Sequence, residues 1–113
     1  MWQKAMDLVD EIYVLSSRFP KEEQFGLVVQ LRKSAISIPS NLAEGAGRRR
    51  VREFRRFSDI AYGSLMEVET QLEISRRRGY IADVKALHLL DSVAAIARML
   101  NGLRTRLGNT QYL

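Results

Sequence analysis

Apolar residues recur along most of this chain at steps of three and four, and no segment sustains the two-residue alternation of a strand. The pattern predicts four helices. The first covers about residues 2–18, with Trp2, Ala5, Met6, Val9, Ile12 and Tyr13 on one side and Lys4, Asp7, Glu11 and Arg18 on the other. Phe19-Pro20 stops it, because proline disfavours a helical residue before it. The second begins near Lys21–Glu23, where acidic side chains suit the positive end of a helix dipole. It carries Leu27, Leu31, Ala35, Ile38 and Leu42 toward an end marked by Gly45 and Gly47.

The third helix, residues 51–77, places Phe54, Phe57, Ala61, Leu65, Val68 and Leu72 on one stripe, and Gly79 follows as a C-terminal cap. The fourth, residues 82–107, repeats Leu89, Val93, Ile96, Leu100, Leu103 and Leu107 with the seven-residue period of near-antiparallel packing, and Gly108 is expected to end it. Short connections make sequential helices antiparallel neighbours. The expected fold is therefore all-α, an up-down-up-down antiparallel four-helix bundle forming one domain over residues 1–113.

Pro39 stands inside the apolar run of the second helix, where proline removes a hydrogen bond and crowds the preceding turn, at about 3 kcal/mol in an ordinary interior. A kink at Pro39 is expected. Ser37, Ser40 and Asn41 are placed to satisfy the freed backbone groups, and Glu44 to pair with an arginine or accept from backbone donors. A bend that shapes the bundle explains this cluster better than a site, since no base or metal ligand accompanies it.

Two helices carry more apolar surface than one core needs. Leu87, Leu90, Ala94 and Ala97 lie off the stripe of the fourth, and Tyr62 and Met66 are read as nearly opposite the stripe of the third. A helix apolar on most sides is buried on most sides, so these six residues are expected to form subunit contacts in a homo-oligomer.

Composition narrows the picture further. With 113 residues and 46% hydrophobic content the chain supports a single core of modest extent. It has no cysteine, which excludes disulfides and thiolate metal sites and gives no support for an oxidising compartment; a cytoplasmic location is expected. No run approaches the roughly 20 apolar residues of a membrane span, and the first residues lead into an amphipathic pattern rather than a signal-peptide core. A soluble protein with no membrane partner is the expectation.

The formal charge of +5 is local. Fourteen of the eighteen basic residues are arginine, and residues 45–56 hold Arg48, Arg49, Arg50, Arg52, Arg55 and Arg56 against Glu53 alone, a surplus equal to that of the whole chain. Arginine favours bidentate contact with phosphate or carboxylate. Arg48, Arg52, Arg55 and Arg56 are read as an outward arc opposite the Phe54/Phe57/Leu65 stripe, with Arg49 and Arg50 at its start; the equal alternative is a solvated face with pairs to Glu53 and Asp59. Cations near a helix N-terminus are disfavoured by the macrodipole, by about 0.3–1 kcal/mol each at low salt, unless phosphates come to them. Arg76, Arg77 and Arg78 form a second candidate patch.

Catalytic chemistry finds little footing. His88 is the only histidine and lacks the Glu-x-x-His spacing of di-iron bundles, while Asp59, Glu67, Glu69 and Glu73 scatter around one helix at distances suited to ion pairs. No phosphate loop, nucleophile–base pair or metal spacing is present, so a non-enzymatic protein with no cofactor and no metal is expected.

Phe19-Pro20, Glu23-Gln24-Phe25-Gly26-Leu27, Gln30-Leu31-Arg32, Ser37-Ile38-Pro39-Ser40-Asn41-Leu42-Ala43-Glu44-Gly45, Ile60-Ala61-Tyr62-Gly63-Ser64-Leu65, Glu67 and Gly79-Tyr80-Ile81 resemble the four-helix-bundle proteins encoded by intervening sequences in bacterial 23S ribosomal RNA genes. That bundle is in turn similar to the accessory variability protein of diversity-generating retroelements, a basic pentamer that binds nucleic acid and a reverse transcriptase. The resemblance implies a ring-like homo-oligomer, a pentamer, with no catalytic residues to carry over. Repeating the charge around a ring gives a positive field that attracts polyanions regardless of sequence. Two function classes stay open: binding of RNA or DNA through phosphates with little base readout, or an adaptor whose arginines dock an acidic protein such as a reverse transcriptase.

Overall fold

A computed structural model describes residues 1–111, with side chains through Gly108; the last two residues of the expected domain lie outside the described residues. It contains α1 (Trp2–Ser16), a 3₁₀ turn at Lys21–Glu23, α2 (Leu27–Gly47), α3 (Val51–Arg77) and α4 (Asp83–Gln111), with no strand among the described residues. Cross-helix pairs fix the directions. Ser34 meets Glu67 while Ser37 meets Ser64, so α2 and α3 run oppositely. Arg76 meets Asp83 while Arg104 meets Asp59, which sets α4 antiparallel to α3. Arg32 reaches Ser16 at one end of α1, and Trp2 shares a pocket with Ala43 and Ala46 at the other. The bundle is up-down-up-down and measures 50 × 24 × 19 Å.

Each helix contributes one buried stripe. Ala5, Leu8 and Ile12 of α1 meet Leu31, Ala35, Ile38 and Leu42 of α2, Ala61, Leu65, Val68 and Leu72 of α3, and Ala86, Leu89, Val93, Ile96 and Leu100 of α4. Each fully buried leucine or isoleucine contributes about 1.5–3 kcal/mol. The stripe of α1 differs from expectation: Leu8 is buried, whereas Trp2 and Tyr13 are 46% and 41% exposed. The axis of burial runs through Ala5, Leu8, Ile12 and Ser16, spaced by three, four and four, and leaves the aromatic residues on its flanks.

Some ends also differ. The residues at Lys21–Glu23 form only a 3₁₀ turn, and α2 starts after Gly26, where Glu23 Oε1 accepts from the backbone N–H of Leu27 at 3.3 Å. The acidic residue thus serves the helix N-terminus from outside it. Gly79 caps α3 as expected: with φ of 78° it turns the chain so that Tyr80 N–H reaches Ser75 O and Gly79 N–H reaches Arg76 O. Gly108 does not end α4, which continues to Gln111. This glycine is buried, and a β-carbon there would collide with the Arg55 guanidinium. Its position beside the Arg55 guanidinium is therefore a packing position within α4, not a helix end.

α2 continues through Pro39, whose ring is buried. Beside it Asn41 Nδ2 donates to Ser37 O at 2.8 Å and Ser37 Oγ at 2.9 Å, and Ser37 Oγ lies 2.7 Å from Ser64 Oγ on α3. The Ser and Asn residues around the proline therefore tie α2 to α3. Glu44 pairs with Arg48 at 3.1 Å.

Candidate nucleic-acid interface

The arginine cluster occupies the end of the bundle where α2 turns into α3. The chain leaves α2 at Gly47, passes through Arg48 and Arg49, and enters α3 from Arg50, which is its N-cap and gives no side-chain cap. Arg49 adopts φ of 59°, a left-handed conformation that costs a side chain with a β-carbon about 1–2 kcal/mol. Three consecutive arginines thereby crowd the positive end of a 27-residue helix whose first N–H groups receive no side-chain cap.

The six arginines divide into two sets. Arg48 is paired with Glu44 and lies over the Phe57 ring at 5.4 Å; Arg56 is paired with Glu53 and lies over the same ring at 5.2 Å. Arg55 is half-buried: its Nε donates to Asp59 and its Nη1 donates to the backbone oxygen of Arg104 at 2.6 Å. Asp59 also accepts from Arg104 Nε at 2.7 Å, and Arg104 covers the Tyr62 ring at 4.3 Å. This arginine joins α3 to α4, so the single outward arc expected from helical spacing does not form. Arg48 lies at the end of α2 rather than on α3, and Arg55 turns toward α4. Arg49, Arg50 and Arg52 are exposed and meet no carboxylate among the described residues.

The second patch lies at the far end of α3, about 36 Å away at the helical rise of about 1.5 Å per residue. Arg76 is bound to Glu73 and Asp83, and Arg77 to Glu73. The hydrogen bond from Arg76 holds the Glu73 carboxyl below the usual carboxylate range, and the same bond raises Arg76. Arg78 meets no carboxylate among the described residues, and with Arg76 and Arg77 paired this patch is largely neutralised. The same end is closed by Phe19 against Tyr80, with ring centroids 5.4 Å apart, and by Tyr80 Oη donating to Glu23 at 2.9 Å. Accepting that bond, Glu23 raises the phenol above its ordinary range. Sequence-distant motif residues, Phe19-Pro20, Glu23 and Gly79-Tyr80-Ile81, thus converge to shut one end of the bundle.

The expected subunit-contact residues sit along α3 and α4. Tyr62, Met66, Leu90 and Ala97 pack partly against the core, Ala94 is half-buried, and Leu87 is 61% exposed. Tyr62 and Met66 flank the α3 stripe instead of opposing it. Tyr62 is four residues from Ser58 and three from Leu65, both buried, which puts it on the side where α4 packs.

His88 is exposed and its Nε2 lies 3.1 Å from Glu11, with Lys85 3.8 Å from the same carboxylate. This trio joins α4 to α1. Among the described residues no group of three or more His, Cys, Asp or Glu is placed to hold a metal, and no helix is long and apolar enough to cross a membrane.

Sequence spacing missed a pocket beside the arginines. Met1, Trp2, Leu42, Ala43, Ala46 and Phe54 line an apolar recess where the start of α1 faces the end of α2 and the first turns of α3. Helical spacing puts Trp2 on the apolar side of the first helix, and only packing leaves it half exposed at this end.

Fold and charge together define an arginine-rich antiparallel four-helix bundle. The family model described as 23S rRNA-intervening sequence protein matches residues 1–102, and the chain belongs to that family. Its fold is similar to that of a protein of unknown function from the S23 ribosomal protein family of Bacteroides thetaiotaomicron VPI-5482, whose crystal structure superimposes with a TM-score of 0.85 at 21% identity, covering 91% of this chain and 96% of that one. No match was found among curated proteins.

Proposed function

We propose that this chain is a non-enzymatic, homo-oligomeric cytoplasmic protein that binds RNA or DNA through phosphate contacts made by Arg49, Arg50 and Arg52. The observation that carries the reading is the contrast within the cluster: three arginines have carboxylate partners, and three adjacent ones meet none among the described residues. The uncapped N-terminus of α3 strengthens the same point, since its free N–H groups and dipole favour an anion. So does Arg49, kept in a conformation that glycine would adopt without strain. A homo-oligomer, as a pentamer, repeats this end and multiplies the field.

Fluorescence anisotropy with unrelated oligonucleotides across a salt series tests the binding. Each phosphate neutralised on duplex DNA steepens the slope of log affinity against log salt by about 0.9. Replacing Arg49, Arg50 and Arg52 by alanine is expected to flatten the slope by about 2–3 and weaken all sequences alike. A folded variant with unchanged affinity and slope overturns the reading and favours the adaptor class, in which the arginines dock an acidic protein. Assembly is tested by sedimentation: Leu87→Glu is expected to dissociate the oligomer, and a wild-type monomer near 13.0 kDa at micromolar concentration overturns it.

A further inference from the structure

The recess lined by Met1, Trp2, Leu42, Ala43, Ala46 and Phe54 stands at the same end of the bundle as the unpaired arginines. Its lining carries no charged side chain and includes Trp2, a residue 46% exposed. Ala43 and Ala46 present only methyl groups from α2 to the recess, and Trp2 remains about half exposed. Phe54, on its α3 side, is one turn past Arg50, and exposed Val51 shares its helix face, whereas Arg52 lies toward the opposite side of α3. An apolar aromatic recess with the unneutralised Arg50 one helical turn away, at the uncapped start of α3, matches one ligand chemistry: an unpaired nucleobase whose neighbouring phosphate lies on that arginine. A duplex offers its phosphates but keeps its bases stacked, and has nothing to place there without paying to unstack one.

We propose that the Trp2 recess is a base-stacking subsite, and that the preferred ligand of this end of the bundle is single-stranded nucleic acid. This rests on the phosphate-binding reading above and extends it from charge to strand class. Trp2 supplies the stacking face, Phe54 and the two alanines form the apolar surround, Arg50 holds the phosphate next to the stacked base, and Arg49 and Arg52 take phosphates further along the strand.

Trp2 is the sole tryptophan of the chain, so its emission reports the recess directly. Titrating the intact protein with oligo(dT), oligo(U), a duplex of equal phosphate number and an oligomer of abasic sites, with gel shift in parallel, separates stacking from charge. Both single strands are expected to quench the fluorescence as they bind, and the duplex and abasic oligomers to bind with little quenching. Trp2→Ala is expected to weaken single-strand binding roughly tenfold, in line with the loss of one base–aromatic stack, and to leave duplex binding unchanged. Trp2→Phe keeps a ring and is expected to recover much of the loss. Binding of single strands without quenching, or equal affinity for single strand and duplex in both wild type and Trp2→Ala, overturns the subsite while leaving phosphate binding intact. Absence of any gel shift overturns both readings.

Discussion

A β-carbon on Gly45 would stand 2.8 Å from Cβ of Phe57, so α2 and α3 approach there at a distance that only glycine permits. The same atom would also stand 3.1 Å from the Phe54 ring, which would have to give by a few tenths of an ångström. Gly45→Ala is therefore expected to destabilise the bundle by about 1–3 kcal/mol, although alanine is the better helix former by about 1 kcal/mol. Gly63, mid-way along α3, has open space where its β-carbon would be. Gly63→Ala is expected to stabilise by up to about 1 kcal/mol. Urea denaturation of both variants checks the pair, and stabilisation by Gly45→Ala would remove the close crossing from the account.

The hydroxyl pair Ser37–Ser64, 2.7 Å apart and also engaged by Asn41, is the polar tie between α2 and α3 beside Pro39. Each single alanine variant is expected to cost about 1 kcal/mol, and the double variant less than the sum, with a coupling of about 0.5–1.5 kcal/mol. A double-mutant cycle measures this. Strict additivity means that the two hydroxyls do not act together.

Arg52 and Arg55 stand three positions apart on α3 and are expected to answer mutation differently. Arg55→Ala removes the donor to the Arg104 carbonyl and one partner of Asp59, so it is expected to lower stability by about 1–2 kcal/mol. Arg52→Ala is expected to change stability by less than about 0.5 kcal/mol while lowering the salt slope of nucleic-acid binding by about one phosphate. Thermal denaturation together with a salt-titrated binding assay on both variants makes the comparison. An Arg55→Ala protein as stable as wild type would return that residue to the binding surface.

Ser58 is fully buried on α3, and its hydroxyl meets no hydrogen-bond partner among the described residues. Burying an unsatisfied hydroxyl costs roughly 1–3 kcal/mol, and alanine fits the same space. Ser58→Ala is expected to raise stability by about 1 kcal/mol, measured as an increase in the denaturation midpoint at unchanged m-value. A loss of similar size would mean that the hydroxyl finds a partner in the folded protein.

The sequence by itself determined the four helices, their order and most of their buried faces, because a period of three and four repeated through Leu31, Ala35, Ile38 and Leu42 or Leu89, Val93, Ile96 and Leu100 is a local property of the chain. Gly79 was legible for the same reason, since a C-terminal cap depends only on its own turn. The concentration of positive charge before Phe57 could be counted directly. Only the tertiary structure decided which arginines are spent on the fold. Arg55 looks like its neighbours until α4 brings the Arg104 carbonyl within 2.6 Å, from a residue 49 positions away. Gly108 read as a helix stop, yet α4 runs on past it and the Arg55 guanidinium lies against it. Trp2 read as core until the spacing of Ala5, Leu8 and Ile12 turned it toward the end of the bundle, beside Ala46 and Phe54. Helical periodicity fixes the face on which a side chain lies, but the occupant of the space beyond that face comes from a distant part of the chain and is set only when the helices pack.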